Sequence, residues 1–165
     1  RYSVPLTLNY AMGDTMAAIA VARRCVTVFG ELAGAKAPRH MTGMLRDQAL
    51  AQFAVGECEG LLRSARSFMI EAVEELWEDV AKNGTASMDK RVHARLASIH
   101  GIRSAQQAID KLYPLCGGDA IFEGSVIQRC FQDIHVITQH VQGRLLNIEL
   151  VGKYKLGVIT DDPRI

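Results

Sequence analysis

The sequence predicts an all-α protein, an up-down-up-down four-helix bundle with long helices. Apolar residues recur at three- and four-residue spacing along four long stretches. Short segments carrying Pro38, Asn83-Gly84 and Gly117-Gly118 separate them, and short connections favour antiparallel neighbours. Nowhere does the period-two alternation of a half-buried strand occur.

The first helix is expected from about Pro5 to Ala35. Ser3 and Pro5 resemble a helix entry, and Leu8, Met12, Met16, Ile19, Val26 and Phe29 supply its apolar positions. Gly13 weakens it locally and suggests a close helix neighbour. Ala37-Pro38-Arg39-His40 reads as a linker, and Thr42 as the N-cap of the second helix, from about Gly43 to Lys82. Leu50, Phe53, Ala54, Cys58, Leu61, Ala65, Phe68, Ala72, Leu76 and Val80 mark its inner side. Gly56 and Gly60 are spaced for close packing, and Asn83-Gly84 stops the helix.

Ser87 caps the third helix, with a stripe of Val92, Leu96, Ile99, Ile102, Ala105, Ile109 and Leu112, through about Leu115, where Cys116-Gly117-Gly118 ends it. Ser125 caps the fourth. Ile127, Cys130, Phe131, Ile134 and Val141 make its apolar stripe, and Arg129, Asp133 and His140 share the opposite side. The bundle is thus expected over residues 1–143. The tail, 144–165, is less periodic, ends near Asp161-Asp162-Pro163, and is expected as a loop or loosely docked end.

A chain of 165 residues, 48% hydrophobic and 22% charged, suffices for one core. Its 19 basic and 18 acidic residues leave a formal charge of +1, with no basic run to suggest a nucleic-acid partner. Apolar runs are too short to span a bilayer, so no membrane partner is expected. Cys25, Cys58, Cys116 and Cys130 form no CxxC pair and read as buried, reduced thiols of a cytoplasmic protein. The chain opens Arg-Tyr-Ser-Val-Pro without an initiator Met and is taken as part of something longer.

Helical bundles can hold di-iron sites through Glu-x-x-His pairs on two helices. Here no glutamate has His three residues on, so no metal is expected. His93 and His100 share a face but lack a carboxylate at ligand spacing. Arg129, Asp133 and His140 are compatible with an active-site edge and equally with a solvated face.

Leu112-Tyr113, Gly117-Gly118 and Arg129-x-x-x-Asp133 followed by His140 resemble the C-terminal helical domain of the acyl-CoA dehydrogenase superfamily. The resemblance extends over nearly the whole chain and is closest to the flavin-dependent monooxygenase branch, the oxygenase components of two-component hydroxylases; Tyr154-x-x-Gly157 adds to it. It implies an N-terminal helical domain and a middle β domain that are missing here, a flavin between β domain and bundle, and a pocket often completed by a neighbouring subunit. A homodimer or homotetramer is implied, as are reduced flavin (FMN or FAD) as cofactor and a separate flavin reductase.

The dehydrogenase branch carries Glu-Gly-Thr after its Arg-Asp motif, with the Glu as base. His140, Val141, Gln142 and Gly143 stand there instead, and the branch's Arg-x-x-Phe-Gly signature is absent around Ala37 to Met44. The resemblance therefore implies hydroxylation, with His140 catalytic and the amides of Gly117 and Gly118 approaching flavin phosphate or ribose. Arg129 and Asp133 are expected to be a structural ion pair. For the glycines a helix cap, and for His140 a dipole-favoured helix end, are the plainer readings. Three functions remain open: a monooxygenase domain inactive in isolation, an acyl-CoA dehydrogenase domain with its base elsewhere, and a non-catalytic oligomerisation module.

Overall fold

The structure, a computed structural model, describes residues 3–165; the start of the expected bundle at residues 1 and 2 lies outside them. Four long helices follow one another: α1 (Leu6–Ala35), α2 (Ala49–Asn83), α3 (Met88–Leu112) and α4 (Val126–Gln139). A fifth, α5 (Leu146–Lys155), lies in the tail. Among the described residues there is no strand, and no helix is long and apolar enough to cross a membrane.

α1 and α3 form the central pair. α3 also packs along α2, and α4 lies against α1 and α3 without substantial contact to α2. The main core joins Ala22, Cys25 and Phe29 of α1 with Ala54, Cys58 and Leu62 of α2, Ile102 and Ile109 of α3, and Ile134 of α4. Many of these residues are alanine, so the helix backbones approach closely and the larger side chains interlock between them.

The tightest approach is at Thr15 and Gly101. Thr15 Oγ1 donates across the interface to the Ser98 carbonyl at 3.0 Å, and within its own helix to the Ala11 carbonyl at 2.6 Å. A Cβ on Gly101 would come within 2.4 Å of Thr15 Cγ2. Gly101 is therefore the close-packing glycine of this bundle. At Gly13, Gly56 and Gly60, expected to play that part, an added Cβ would meet nothing within 4 Å.

Element ends differ from expectation where local chemistry intervenes. α2 starts at Ala49, after a 3-10 turn over Leu45–Asp47, and Thr42 does not cap it. Instead the Asp47 carboxylate accepts the Met44 amide at 2.8 Å, and Gln48 Nε2 donates to the Thr42 carbonyl at 2.9 Å. The inner face of α2 is Ala51, Ala54, Cys58, Leu62, Ala65, Met69, Ala72 and Leu76; Leu50 and Phe53, placed inside by the sequence reading, are about two-thirds exposed. Gly84 ends α2 in the left-handed conformation, as expected. Ser87 precedes α3, but its side chain makes no cap bond; its amide donates to Asp79 at 2.7 Å. Pro114 brings no amide to α3, which ends at Leu112 and continues as 3-10 turns to Ala120. The expected Ser125 cap of α4 forms.

The tail is docked. Leu150 and Val151 of α5 bury against Val92 and Ile165. Arg91 Nε donates to the Ile165 carbonyl at 2.8 Å, and its Nη2 to the Asp162 carbonyl at 3.1 Å. The Arg164 guanidinium holds the Asp162 carboxyl at about 2, below its ordinary range.

All four cysteines are free and buried. Desolvation pushes Cys58 and Cys116 to about 11, and Cys25, raised by its neighbour Cys130 and by burial, goes further. A thiol whose value is raised on folding stabilises the fold fully below the unfolded value and loses that contribution as pH rises through the folded one. Domain stability should therefore fall between pH 9.0 and about 11, measured as accelerated hydrogen exchange of core amides after correction for intrinsic rates. Gly101→Ala should destabilise the α1–α3 pair by about 1–3 kcal/mol through overpacking. Thr15→Ser, which removes the opposing methyl, should recover part of that loss in the double variant.

Candidate functional site

Three histidines sit against carboxylates, and what else holds each one separates them. His93 Nδ1 is 2.7 Å from Glu75, which also accepts from Lys90 at 3.0 Å, and its ring lies 5.1 Å from that of Phe68. His135 Nε2 is 3.0 Å from Asp110, with the Phe131 ring tilted against its own at 4.4 Å. Both arrangements are complete. His140, at the C-terminal end of α4, has Nδ1 2.9 Å from Asp14 Oδ2, off the hydrogen-bond line. Its ring is half exposed, and Asp14 Oδ2 is buried with no aligned partner.

The segment after His140 is pinned from several sides. The Gly143 amide donates to the His140 carbonyl at 2.9 Å, and Arg103 Nη2 to the Gly143 carbonyl at 2.6 Å. Asn147 Nδ2 donates to the carbonyls of Val141 and Gln142, both at 3.0 Å. A Cβ on Gly143 would lie 2.5 Å from the Ile137 carbonyl oxygen, so the chain folds back onto the last turn of α4 where only glycine fits.

Arg95 of α3 is 1% exposed, donates from Nη1 to Gln142 Oε1 and from Nη2 to the Arg164 carbonyl at 2.6 Å, and pairs with no carboxylate among the described residues. Burial lowers its guanidinium to about 10.

Among the described residues, four buried side-chain atoms lack a hydrogen-bond partner: Thr7 Oγ1, Asp14 Oδ2, Arg95 Nε and Arg103 Nε. Asp14, Arg95 and Arg103 touch the 140–143 segment, and Thr7 lines a pocket together with its Val141 and Gln142. Leaving a buried polar group unmet costs about 1–3 kcal/mol. Their concentration at one end of the bundle marks a place where bonding capacity is held open. Tyr10 and Val136, one helical turn before Asp14 and His140, are more than half exposed, as are Val141 and Leu145, an apolar rim without cover among the described residues.

The other predicted site residues lie elsewhere. Gly117 adopts φ +57, and a Cβ there would meet Lys36 Nζ at 3.3 Å. Lys36 donates to the Cys116 carbonyl at 2.6 Å and to Asp119 at 2.5 Å, clamping the corner. Gly118 is exposed with nothing within 4 Å of its Cβ position, so a ligand backbone or phosphate could approach it directly. Between Asp14, beside His140, and Lys36, beside Gly117, run 22 residues of α1, about 33 Å. The structure does not bring His140 and the double glycine together. Arg129 and Asp133 form an exposed i, i+4 pair at 3.7 Å on the surface of α4.

Thr7, Asp14, Arg95 and Arg103 were missed in the sequence. A signal existed for two of them. Arg95 lies three residues after Val92 and four before Ile99, on the apolar stripe, and Asp14 stands likewise between the buried Ala11 and Ala18. A charge on a buried stripe is the feature to look for.

The family model for the acyl-CoA dehydrogenase C-terminal domain matches residues 12–144. An indole-3-acetate monooxygenase of Pseudomonas putida is 38% identical over 96 residues, 58% of this chain and 25% of that protein. A pigment production hydroxylase of Rhodococcus erythropolis is 25% identical over 139 residues, 84% of this chain and 35% of its own. In structure, a 3-HSA hydroxylase from a Rhodococcus species matches with a TM-score of 0.84 at 18% identity, covering 98% of this chain and 41% of that one. XiaF from a Streptomyces species, solved in complex with FADH2 and glycerol, matches with a TM-score of 0.85 at 17% identity, covering 96% and 41%. The chain thus spans a quarter to about a third of the curated relatives it matches. It belongs to the acyl-CoA dehydrogenase C-terminal domain family.

Proposed function

We propose that this domain is the C-terminal part of a flavin-dependent monooxygenase that hydroxylates an organic substrate, with His140 at the reacting centre. The observation that carries the reading is the set of four orphaned polar atoms gathered round the 140–143 segment beneath an uncovered apolar rim. The named hydroxylases and monooxygenases among its relatives support the class of reaction.

Reduced flavin, FMN or FAD, would supply oxygen activation when bound, fed by a separate reductase. What this chain's residues do follows from their placement. The half-exposed imidazole of His140 can take a proton from a substrate hydroxyl or ring N–H, or donate a hydrogen bond to it. Asp14, 2.9 Å from Nδ1, is placed to orient the ring. Tyr10, Val136, Val141 and Leu145 would exclude water once a further domain covers them. At the far corner, Gly118 is open enough to admit a phosphate to the backbone. About 33 Å of α1 separates their respective neighbours, Asp14 and Lys36, more than one flavin mononucleotide bridges. The two features would then serve different bound flavins, or distant ends of one extended dinucleotide. The first option favours a homodimer or homotetramer in which neighbouring subunits complete each other's pockets. We also place the domain boundary near Gly143 as first read, with α5 as a docked extension; the missing N-terminal and β domains complete the enzyme, which we place in the cytoplasm.

The intact protein, given reduced flavin and labelled O2, should put one labelled oxygen atom into product. Bleaching of its oxidised flavin by acyl-CoA, without oxygen-dependent product, would instead identify a dehydrogenase. His140→Ala should lower kcat by about a hundredfold or more, since positioned acid–base groups contribute on that scale. Gly143→Ala, with its Cβ driven into the Ile137 carbonyl, should also lower kcat by displacing His140, while leaving retained flavin unchanged.

A further inference from the structure

α2 is 35 residues long, about 52 Å, and one of its faces is left largely uncovered. Positions 59, 63, 66, 70, 74, 77 and 81 follow at steps of 4, 3, 4, 4, 3 and 4. At ~100° per residue they stay within about 40° of one line along the helix. Arg63, Arg66, Glu74, Trp77 and Ala81 are exposed, Trp77 to 65%, while Glu59 and Ile70 are half-buried. Beside Trp77 an open groove runs between Met12 of α1 and Val73 of α2, which leaves room for a further helix. The ion pairs that α2 makes across to α1 and α3 use Glu57, Glu59 and Glu75. Arg63 pairs with Glu59 on α2 itself, and among the described residues Arg66 and Glu74 pair with nothing.

This spacing is symmetric about Ile70, and the chemistry on its two sides is complementary. Arg66 stands four residues before Ile70 and Glu74 four after; Arg63 stands seven before and Trp77 seven after. From this arrangement we propose that the face is an interface between copies of this chain, with a second α2 lying antiparallel across it about a two-fold axis at Ile70. Such an axis sets each position before Ile70 against the position equally far after it in the other copy. Arg66 then meets Glu74 of the partner subunit, Arg63 lies over the partner's Trp77, and each contact occurs twice. Ile70 meets its own copy on the axis. A parallel pair would instead set Arg66 against Arg66 and Glu74 against Glu74, which like charges oppose. A different protein, or another domain of the same chain, would place no demand for symmetry on the face. α2 carries none of the residues gathered at His140, so this contact is separate from the site described above.

The inference is independent of the hydroxylase reading, because sedimentation of the intact protein tests it and reads mass, not turnover. The intact protein should sediment as an even-numbered assembly. Arg66→Glu and Glu74→Arg, each alone, place two like-charged pairs across the interface and should each weaken association by at least about tenfold. Circular dichroism should not change, since both side chains are exposed. Mixed in equal amounts, the two variants should associate with each other, because one carries glutamate at both positions and the other arginine. The double variant, with every pair reversed, should regain the assembly by itself. A monomeric intact protein overturns the proposal. An assembly that either single variant leaves unchanged, the result expected if another part of the same chain covers α2, overturns it too. So does a weakening that neither mixing nor the double variant repairs.

Discussion

The contact between Thr15 and Gly101 governs how near α1 and α3 lie, and most of the molecule is arranged by that distance. The Thr15 hydroxyl satisfies the Ser98 carbonyl, while its methyl occupies the space a side chain at position 101 would need. With the two backbones this close, residues as small as Ala18, Ala22, Ala105 and Ala108 suffice to close the interior, and α4 can settle onto both helices at once. A wider pair would leave those alanines facing voids, at a cost that grows with each empty volume.

The same pairing decides what happens at the ends of α4. Its N-terminal side meets the corner that Lys36 clamps, and its C-terminal side meets Asp14. One end is closed by direct bonds: Lys36 to Cys116 and Asp119, and Tyr113 to Gln128. The other is held by a fold-back that only Gly143 permits, and it keeps polar atoms unmet. A bundle that served packing alone would gain by satisfying them, so the asymmetry weighs against a purely structural module.

Much of this architecture was legible in the sequence because helical periodicity reports burial. The four long helices, the Gly84 stop and the Ser125 cap all follow from local chemistry. What escaped had causes outside the window that periodicity sees. α5 is only 10 residues long, and its burial depends on Val92, more than fifty residues earlier. Leu50 and Phe53 belong to the apolar pattern of α2 yet face outward, because the helix meets its neighbours one residue further round. Gly101 gave no spacing signal, whereas Gly56 and Gly60 gave one that nothing among the described residues uses. Of the candidate site, His140 and the double glycine were readable as residues, but their separation was not. It depends on α1 running unbroken from Asp14 to the Lys36 cap.

The distinction among the three histidine–carboxylate pairs bears on where selection acts. At His93 and His135 the carboxylate and the ring both have their neighbours, so a ligand could bind only by displacing contacts already made. At His140 the carboxylate oxygen is buried without an aligned donor, and half of the ring faces outward with no aromatic neighbour among the described residues. An incoming group that turns the imidazole into line with Asp14 gains a hydrogen bond the free domain lacks, and breaks nothing to do so. Binding energy available only on ligation is what a site needs and a scaffold does not, because in the unliganded fold the same feature is a net loss. The physical case for His140 rests on that unmet bond and not on its being a histidine.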